Sequence, residues 1–167
     1  MGPIYSFLIT LYGFAIRIAS IFNPKAKEWI VGRKVIIQNL EKNKGKIQNA
    51  IWFHCASLGE FEQGRPLIEK IRKVNPNQKI VLSFYSPSGY EIQKDYSKVD
   101  HVFYLPLDTK KNAIKVCELL KPKAFILVKY EFWFNLLQHL QDRNIPTILI
   151  SGIFRPNQFF FKFYGSK

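Results

Sequence analysis

Cysteine is scarce in this sequence, since only Cys55 and Cys117 occur among 167 residues. Two isolated cysteines do not provide the disulfide framework of a small secreted domain, and they lack the spacing of a thiolate metal site. Cys55 lies in a predicted strand and Cys117 in a predicted helix. We therefore expect both to be reduced thiols in an apolar core, which suits a cytoplasmic protein.

Acidic residues are also few: 12 Asp and Glu against 25 Lys and Arg give a formal net charge of +13. A field of that sign attracts nucleic acid, anionic membrane surfaces or phosphorylated substrates, and charge alone does not choose among them. The hydrophobic content of 47% and the aromatic content of 16% exclude an intrinsically disordered chain. No internal repeat or low-complexity tract occurs, and the length suits one domain with a proper core.

Only one long apolar run occurs, over residues 4–22. As a helix it is just long enough to span a bilayer core of about 30 Å. Its small or polar positions recur every three or four residues and form one narrow stripe: Ser6, Thr10, Gly13, Arg17 and Ser20. Such a helix lies half immersed in a membrane, spans it with the stripe packed on protein, or is an amphipathic helix of the core.

We expect residues 1–22 to form a membrane-associated helix. No basic region precedes the run and no small-x-small site follows it, so a cleaved signal peptide is not predicted. Four bases follow the run directly: Lys25, Lys27, Arg33 and Lys34. By the positive-inside rule, they place the rest of the chain on the cytoplasmic side.

Residues 23–48 are predicted to form a basic helix and a connector. The apolar spacing over residues 25–42 is that of a second helix, and residues 41–48 form a polar, Lys-rich connector. Within the helix, Gly32-Arg33 is either part of a solvated basic face or a phosphate contact.

From residue 49 onward, predicted strands and helices alternate. Apolar runs predict strands near residues 50–55, 79–85, 101–105, 124–129 and 146–151. Helical spacing predicts helices near residues 59–74, 88–97, 109–120 and 132–143. The predicted fold class is therefore α/β, a parallel sheet with helices on both faces.

The turn after the first strand is the most informative part of the chain. In an open α/β sheet, ligands bind beyond the carboxyl ends of the strands, which places Ser57, Gly59 and Glu60 at the mouth of a site. Gly59 would allow a tight backbone path, and the helix start would hold a ligand oxygen and keep Glu60 ionised. On these grounds alone, Glu60 is more often a first-turn glutamate stabilised by the helix dipole.

These residues carry a family resemblance. The run HxxSxGE, here residues 54–60, resembles the signature of the Kdo transferases, which attach 3-deoxy-manno-octulosonic acid to lipid A and belong to the two-domain GT-B glycosyltransferases. Three further matches follow in order, each after a predicted strand: SPSG at residues 86–89, LPLD at 105–108 and YEFWFN at 130–135. Four motifs in register at strand ends are a fairly specific signal.

The resemblance implies the N-terminal half of a GT-B fold: a Rossmann-like acceptor-binding domain over residues 49–167, truncated at its C-terminal end. It makes Glu60 the catalytic base, CMP-Kdo the donor and a lipid A precursor the acceptor, with inversion at the anomeric carbon and no metal or other cofactor. A GT-B site is assembled between two domains, so the fragment alone is expected to be inactive. The implied location is the cytoplasmic face of the inner membrane of a Gram-negative bacterium.

The predicted acceptor-binding residues are Ser57, Gly59, Ser86, Ser88, Gly89 and Glu131. Glu131 ends the fourth strand, so its carboxylate is expected in the same crevice as Glu60. Glu62 lies two residues beyond Glu60 and is expected to be solvated. His54, in a buried strand, is expected to be a core histidine with its hydrogen bonds satisfied.

The chain departs from the family pattern at two places. Lys129 replaces an acidic residue and adds a positive charge at the crevice, and Arg155 is displaced by two residues from the family's arginine after the fifth strand. No role is carried over to Arg155. The tail, residues 154–164, is rich in aromatic and basic residues. This composition is typical of proteins that stack aromatic side chains on single-stranded nucleic acid, of membrane-interface segments and of a domain cut before its next element.

Two other classes of function compete with the transferase. One is a non-catalytic, membrane-tethered binding module, because a fold does not fix a function. The other is a nucleic-acid-binding domain, which charge alone supports and no recognised motif accompanies. We predict an anionic membrane surface as a partner and no nucleic acid.

Overall fold

The computed structural model describes residues 2–129 and 131–153. Its helices are α1 (Gly2–Ala19), α2 (Pro24–Arg33), α3 (Ile36–Lys42), α4 (Lys44–Ile47), α5 (Leu58–Val74), α6 (Pro87–Gln93), α7 (Lys110–Leu120) and α8 (Phe134–Asp142). Its strands are β1 (Ile51–Cys55), β2 (Ile80–Phe84), β3 (His101–Tyr104), β4 (Ala124–Val128) and β5 (Thr147–Ile150). The five predicted strands are confirmed. The predicted tail, residues 154–164, and Arg155 lie outside the described residues.

The strands form one sheet in the order β3-β2-β1-β4-β5, and every neighbouring pair is parallel. The central strand β1 places Phe53 beside Leu82 of β2 and Ile126 of β4. All five carboxyl ends therefore lie at one edge, which is where parallel α/β sheets bind ligands.

Alternate residues of the strands fill two cores, one on each face of the sheet. Trp52 belongs to the core shared with α3, α4, α7 and α8, and Phe53 to the core shared with α5 and α6. Cys117 lies in the first core and Cys55 in the second, both as buried free thiols. The Rossmann-like fold class and the predicted place of both cysteines are confirmed.

The basic segment differs from its prediction. Residues 25–42 form two helices, α2 and α3, separated at Lys34 and Val35, and the expected polar connector contains the short helix α4. The break occurs because Arg33 is held against the ends of strands, whereas Ile36 and Leu40 of α3 turn into the core. Tertiary contacts thus override a helical pattern that is continuous in sequence.

Two helix bounds also differ from those predicted. α6 ends at Gln93, four residues earlier than predicted, and α8 begins at Phe134, two residues later than predicted. The residues before α8 remain extended because the Trp133 side chain is bound to β1.

Helix α1 has the length and composition of a membrane span, with a mean hydropathy of 1.3, although core helices and signal sequences pass the same test. Of its residues, all of them described, only Gly13 is buried. Its exposed apolar side chains include Ile4, Phe7, Leu8, Leu11, Phe14 and Ile18. Within the described residues, α1 is therefore not a buried core helix.

Candidate functional site

The turn from β1 to α5 holds Glu60 at the carboxyl edge of the sheet. Ser57 precedes the helix in an extended conformation, and Glu60 lies in the first helical turn. Glu60 as a whole residue is 7% exposed, and its carboxylate turns back to accept a hydrogen bond from the Ala56 backbone N–H through Oε2. The carboxylate is thus fixed at the strand end, where the resemblance implies the base.

The electrostatic surroundings of Glu60 raise its pKa. Burial is the largest cause, because it disfavours the charged form, while hydrogen bonds from the Ala56 and Ser57 amides and the charge of Lys129 act in the opposite direction. The amides at the helix start favour the ionised form of Glu60, as expected, but burial has the larger influence on its pKa. A carboxylate with a raised pKa is the stronger base.

A second turn, after β2, adjoins the first. The Ser86 backbone N–H donates to the Ala56 carbonyl at 2.8 Å. The Ser86 hydroxyl caps α6 by accepting from Gly89 N–H at 3.3 Å and lies 2.8 Å from the Ser88 hydroxyl. The structure therefore brings the two predicted serines beside the β1–α5 turn.

The two glycines of these turns have different surroundings. Gly89 is buried, and a Cβ there would lie 2.5 Å from Cδ1 of Phe84 and 3.2 Å from the Leu58 nitrogen, so Gly89 lets α6 pack on the first turn. None of the described glycines has a positive φ, and a Cβ on Gly59 would meet no described atom within 4 Å. The predicted tight path at Gly59 is wrong: Gly59 instead leaves open space beside Glu60.

The end of β4 brings a second carboxylate to the site. Burial, followed by the negative charge of Glu60, raises the pKa of Glu131. Lys129 has a left-handed backbone with φ of 64°, and its N–H donates to the Ile150 carbonyl at 2.9 Å. The site thus combines two carboxylates with one lysine, which partly offsets their charge.

A buried hydrogen-bond network supports this arrangement. His54 is 0% exposed, and its Nε2 lies 2.8 Å from Nε1 of Trp133. Because the indole N–H only donates, Nε2 accepts and the His54 proton is on Nδ1, 2.8 Å from the Ser83 hydroxyl. The Trp52 indole also donates to Ser83 at 2.8 Å.

Burial lowers the pKa of His54 to about 3, so the imidazole is neutral. The prediction of a satisfied core histidine is confirmed. Its partner Trp133 packs on Tyr85 with ring centroids 4.4 Å apart. The network therefore ties the segment that carries Glu131 to the strand that precedes Glu60.

Arg33 is held against the domain rather than lying on a solvated basic face, whereas a phosphate contact stays a prediction. Its Nε donates to the Leu105 carbonyl at 2.9 Å and its Nη2 to the Tyr85 carbonyl at 2.5 Å, and the guanidinium stacks 3.8 Å from the Trp29 ring centroid. A Cβ on Gly32 would lie 2.5 Å from the Tyr104 ring, so glycine permits this approach. No local pattern announces these contacts, which join residues distant in sequence.

Asp108, in the LPLD motif, is a further residue whose role the sequence did not reveal. It is 3% exposed and accepts from the backbone N–H groups of Asn135 and Leu136, each at 2.9 Å, at the start of α8. It also accepts from the Tyr5 hydroxyl at 2.8 Å. Together with the Ser6 hydroxyl, which donates to the Asn135 side chain at 3.2 Å, it docks α1 on the domain.

The remaining predictions concern Glu62 and metal binding. Glu62 is exposed and pairs with Arg65 at 2.5 Å, which confirms its solvated position. Within residues 2–129 and 131–153, no group of three or more His, Cys, Asp or Glu side chains is placed to hold a metal ion.

A parallel five-stranded sheet with helices on both faces and a buried carboxylate held at its carboxyl edge defines this chain as a Rossmann-like α/β domain. The particular family follows from comparison with known sequences. A family model described as 3-deoxy-D-manno-octulosonic-acid transferase (kdotransferase) matches residues 31–164. The chain belongs to this family.

Individual relatives agree with that membership. The chain is 34% identical over 116 residues to a 3-deoxy-D-manno-octulosonic acid transferase of Aquifex aeolicus, which covers 69% of this chain and 30% of the relative. It is 33% identical over 110 residues to a bifunctional glycosyltransferase/methyltransferase of Fusobacterium nucleatum, a match that covers 64% of this chain and 17% of the relative. A Haemophilus influenzae 3-deoxy-D-manno-octulosonic acid transferase is 30% identical over 103 residues, covering 61% and 24%. The chain thus spans less than a third of the length of these relatives.

Proposed function

We propose that the protein to which this domain belongs transfers Kdo from CMP-Kdo to a lipid A precursor, with Glu60 as the general base. Membership of the family supports the reaction. The observation that carries the residue assignment is the Glu60 carboxylate, held by the Ala56 N–H at the carboxyl edge of the sheet with a raised pKa.

In the proposed step, an acceptor hydroxyl oxygen attacks the anomeric carbon of Kdo as Glu60 takes the hydroxyl proton. The new glycosidic bond forms on the face opposite the leaving group, which inverts the anomeric centre. The bond between that carbon and the phosphate oxygen breaks, and CMP leaves with the electron pair. General-base catalysis of this kind typically contributes about 10²–10⁴-fold.

The other polar groups of the two turns would bind and orient the acceptor. Ser57, Ser86 and Ser88 offer hydroxyls to sugar oxygens, and Glu131 accepts from a sugar hydroxyl. Open space at Gly59 lets the acceptor approach the base. Gly89, which is buried, would act by holding the α6 turn in place.

The donor would be bound mainly by a second domain, as in the GT-B arrangement. Glu60 belongs to only one wall of such a site. Residues 1–167 by themselves should therefore transfer no Kdo.

We further propose that α1 attaches the domain to the cytoplasmic face of the inner membrane. Tyr5 and Ser6 bind Asp108 and Asn135, and a Cβ on Gly13 would lie 2.6 Å from Cδ2 of Leu107. These contacts hold the side of the helix that carries Tyr5, Ser6 and Gly13 on protein, while the exposed apolar face is free to enter lipid. A helix docked in this way lies in the interface rather than spanning the bilayer.

The test of the base is Glu60→Gln in the full-length protein. The amide is nearly isosteric, so we expect acceptor affinity to be kept while turnover falls by roughly 10²–10⁴-fold. Because the pKa of Glu60 is raised, wild-type kcat/KM should fall as pH decreases through a value above 4.5, and the variant should lose this acid limb. The measurement is Kdo transfer from CMP-Kdo to a lipid A precursor across pH.

Glu62→Gln is the matched control, since Glu62 is two residues away on the same helix and exposed. It should leave both turnover and the pH profile unchanged. Near-normal turnover by Glu60→Gln would remove the catalytic assignment, and Glu131 would be the next base to test.

A further inference from the structure

A cavity of about 680 Å³ lies between α1, α2, α3 and the loop after β3. Its volume is within the range of small-molecule sites, about 300–1,000 Å³. The walls are mainly apolar, with contributions from Phe14, Ile30, Ile36, Ile37, Pro106 and Leu107. The cavity is separate from the residues assigned above to the acceptor and the base.

The wall formed by α1 is held close to the domain. Gly13 lies against Leu107, where a Cβ would come within 2.6 Å of Cδ2. On the opposite wall, the three donating nitrogens of Arg33 are bound to backbone carbonyls, those of Leu105, Trp29 and Tyr85. The cavity therefore has fixed sides, and Arg33 contributes packing rather than a binding group.

Two cations at the rim are unpaired. Arg17 and Lys34 line the cavity and are exposed, and none of the ion pairs formed within residues 2–129 and 131–153 includes either of them. Trp29 also lines the cavity, and its indole N–H is a buried donor with no acceptor among the described residues. An apolar cavity with two unpaired cations fits an amphiphile that has an anionic end.

We infer that this cavity binds one acyl chain of an anionic phospholipid, with the phosphate on Arg17 and Lys34 and the chain against Phe14, Ile30 and Ile37. The exposed apolar face of α1 adjoins the cavity, so a lipid of the surrounding leaflet can enter sideways. Such a lipid is neither donor nor acceptor, and the site would fasten α1 to the domain and both to the membrane.

The first experiment measures binding of monomeric short-chain phosphatidylglycerol with brominated acyl chains to the full-length protein. Bromine quenches the fluorescence of nearby indoles. The quenching that occurs in the wild-type protein but not in Trp29→Phe therefore reports lipid in the cavity. We expect quenching that saturates with lipid concentration. Changing both Arg17 and Lys34 to Ala should weaken binding at least about tenfold, since each cation contributes to phosphate attraction. Phosphatidylcholine with the same chains should also bind more weakly.

Lys70→Ala with Lys73→Ala is the control for net charge. These lysines are exposed on α5, which packs on the other face of the sheet, so their removal lowers the charge equally without touching the cavity. Equal loss in both double variants would overturn the site, because general electrostatics would then explain the binding.

Thr10→Phe separates the cavity from simple adsorption. Thr10 lines the cavity from an exposed position on α1, so a larger side chain fills the space without disturbing the core. The inference requires that Trp29 quenching be lost, although the helix becomes more apolar. Undiminished quenching, or displacement of the phosphatidylglycerol by a lipid A precursor, would contradict the inference; the latter would make the cavity an acceptor site.

Discussion

The carboxyl edge of the sheet and helix α1 are stabilised in opposite ways. At the sheet edge, His54 and Ser83 are 0% exposed and joined by hydrogen bonds to two tryptophans. Along α1, side-chain hydrogen bonds from Tyr5 and Ser6 and one buried glycine help to hold a helix whose other face is a row of exposed apolar residues. The buried polar side chains of the sheet edge thus find their hydrogen-bond partners within the domain, whereas α1 leaves its apolar face exposed.

Under the proposed function, this difference separates catalysis by Glu60 from membrane attachment by α1. A base must be held in place to act, and Glu60 lies on a turn that is fixed by the core beneath it. A membrane helix must expose the apolar area that a soluble helix would bury. The two regions should therefore respond differently to pH, truncation and small substitutions.

The largest effect is expected at the buried network. His54 has an ordinary pKa of 6.5 and a folded-state pKa of about 3, so between these values the unfolded chain binds a proton that the folded chain does not. The free energy of unfolding should decrease as pH falls through this window, by roughly 1 kcal/mol per pH unit from this residue. His54→Gln should lose that slope, as measured by urea unfolding at several pH values.

Slopes are compared rather than absolute stabilities, because Gln also loses the imidazole's contacts with Phe125 and Trp133. An unchanged slope in His54→Gln would show that another group carries the acid sensitivity. His101 would then be the candidate, since burial and then the charge of Lys46 lower its pKa as well.

Sequence patterns predict the sheet well because its strands are short, continuous apolar runs, which are mostly buried in β1 to β4 and partly exposed in the edge strand β5. They also placed Glu60, Ser86 and Glu131 at one edge, because parallel strands share the direction in which they end. The pair interaction between Glu60 and Glu131 follows from that topology.

What the sequence left out depends on long-range contacts. In the sequence, Arg33 is indistinguishable from a surface arginine of a helix. Only the fold brings the carbonyls of Tyr85 and Leu105 within hydrogen-bond distance of it. Burial of Glu60 outweighs its hydrogen bonds, and helix position alone does not reveal that balance. Neither the split at Lys34 nor the role of Asp108 has a local signal.

Removing residues 2–22 should change the free energy of unfolding only slightly. It should nevertheless weaken the binding of the protein to membranes clearly. Burial of one large apolar side chain contributes about 1.5–3 kcal/mol, so even two immersed side chains give about 100-fold in vesicle binding. We expect binding to anionic vesicles to fall by at least that factor. The unfolding free energy should change by only about 1–2 kcal/mol, because few protein contacts are lost.

A milder variant tests the same point with α1 still docked. Phe7→Ser with Leu11→Ser alters exposed positions and leaves Tyr5, Ser6 and Gly13 in contact with the domain. It should release the protein from vesicles without changing its unfolding midpoint. Vesicle binding that survives both changes would transfer the attachment to the tail or to the basic surface.

The smallest change in stability is expected for Gly59→Ala. Gly59 is exposed in the first turn of α5, its φ is not positive, and a Cβ there would meet no described atom within 4 Å. Replacing glycine by alanine at a compatible helical position stabilises a protein by about 0.4–1 kcal/mol. Thermal unfolding should therefore show an unchanged or slightly raised Tm.

If the acceptor occupies the open space beside Glu60, KM for the acceptor should nevertheless rise, and Gly59→Val should raise it further. A destabilised alanine variant would restore the tight backbone path that the sequence suggested, whereas a stable variant with normal KM would show that the acceptor approaches Glu60 from another side.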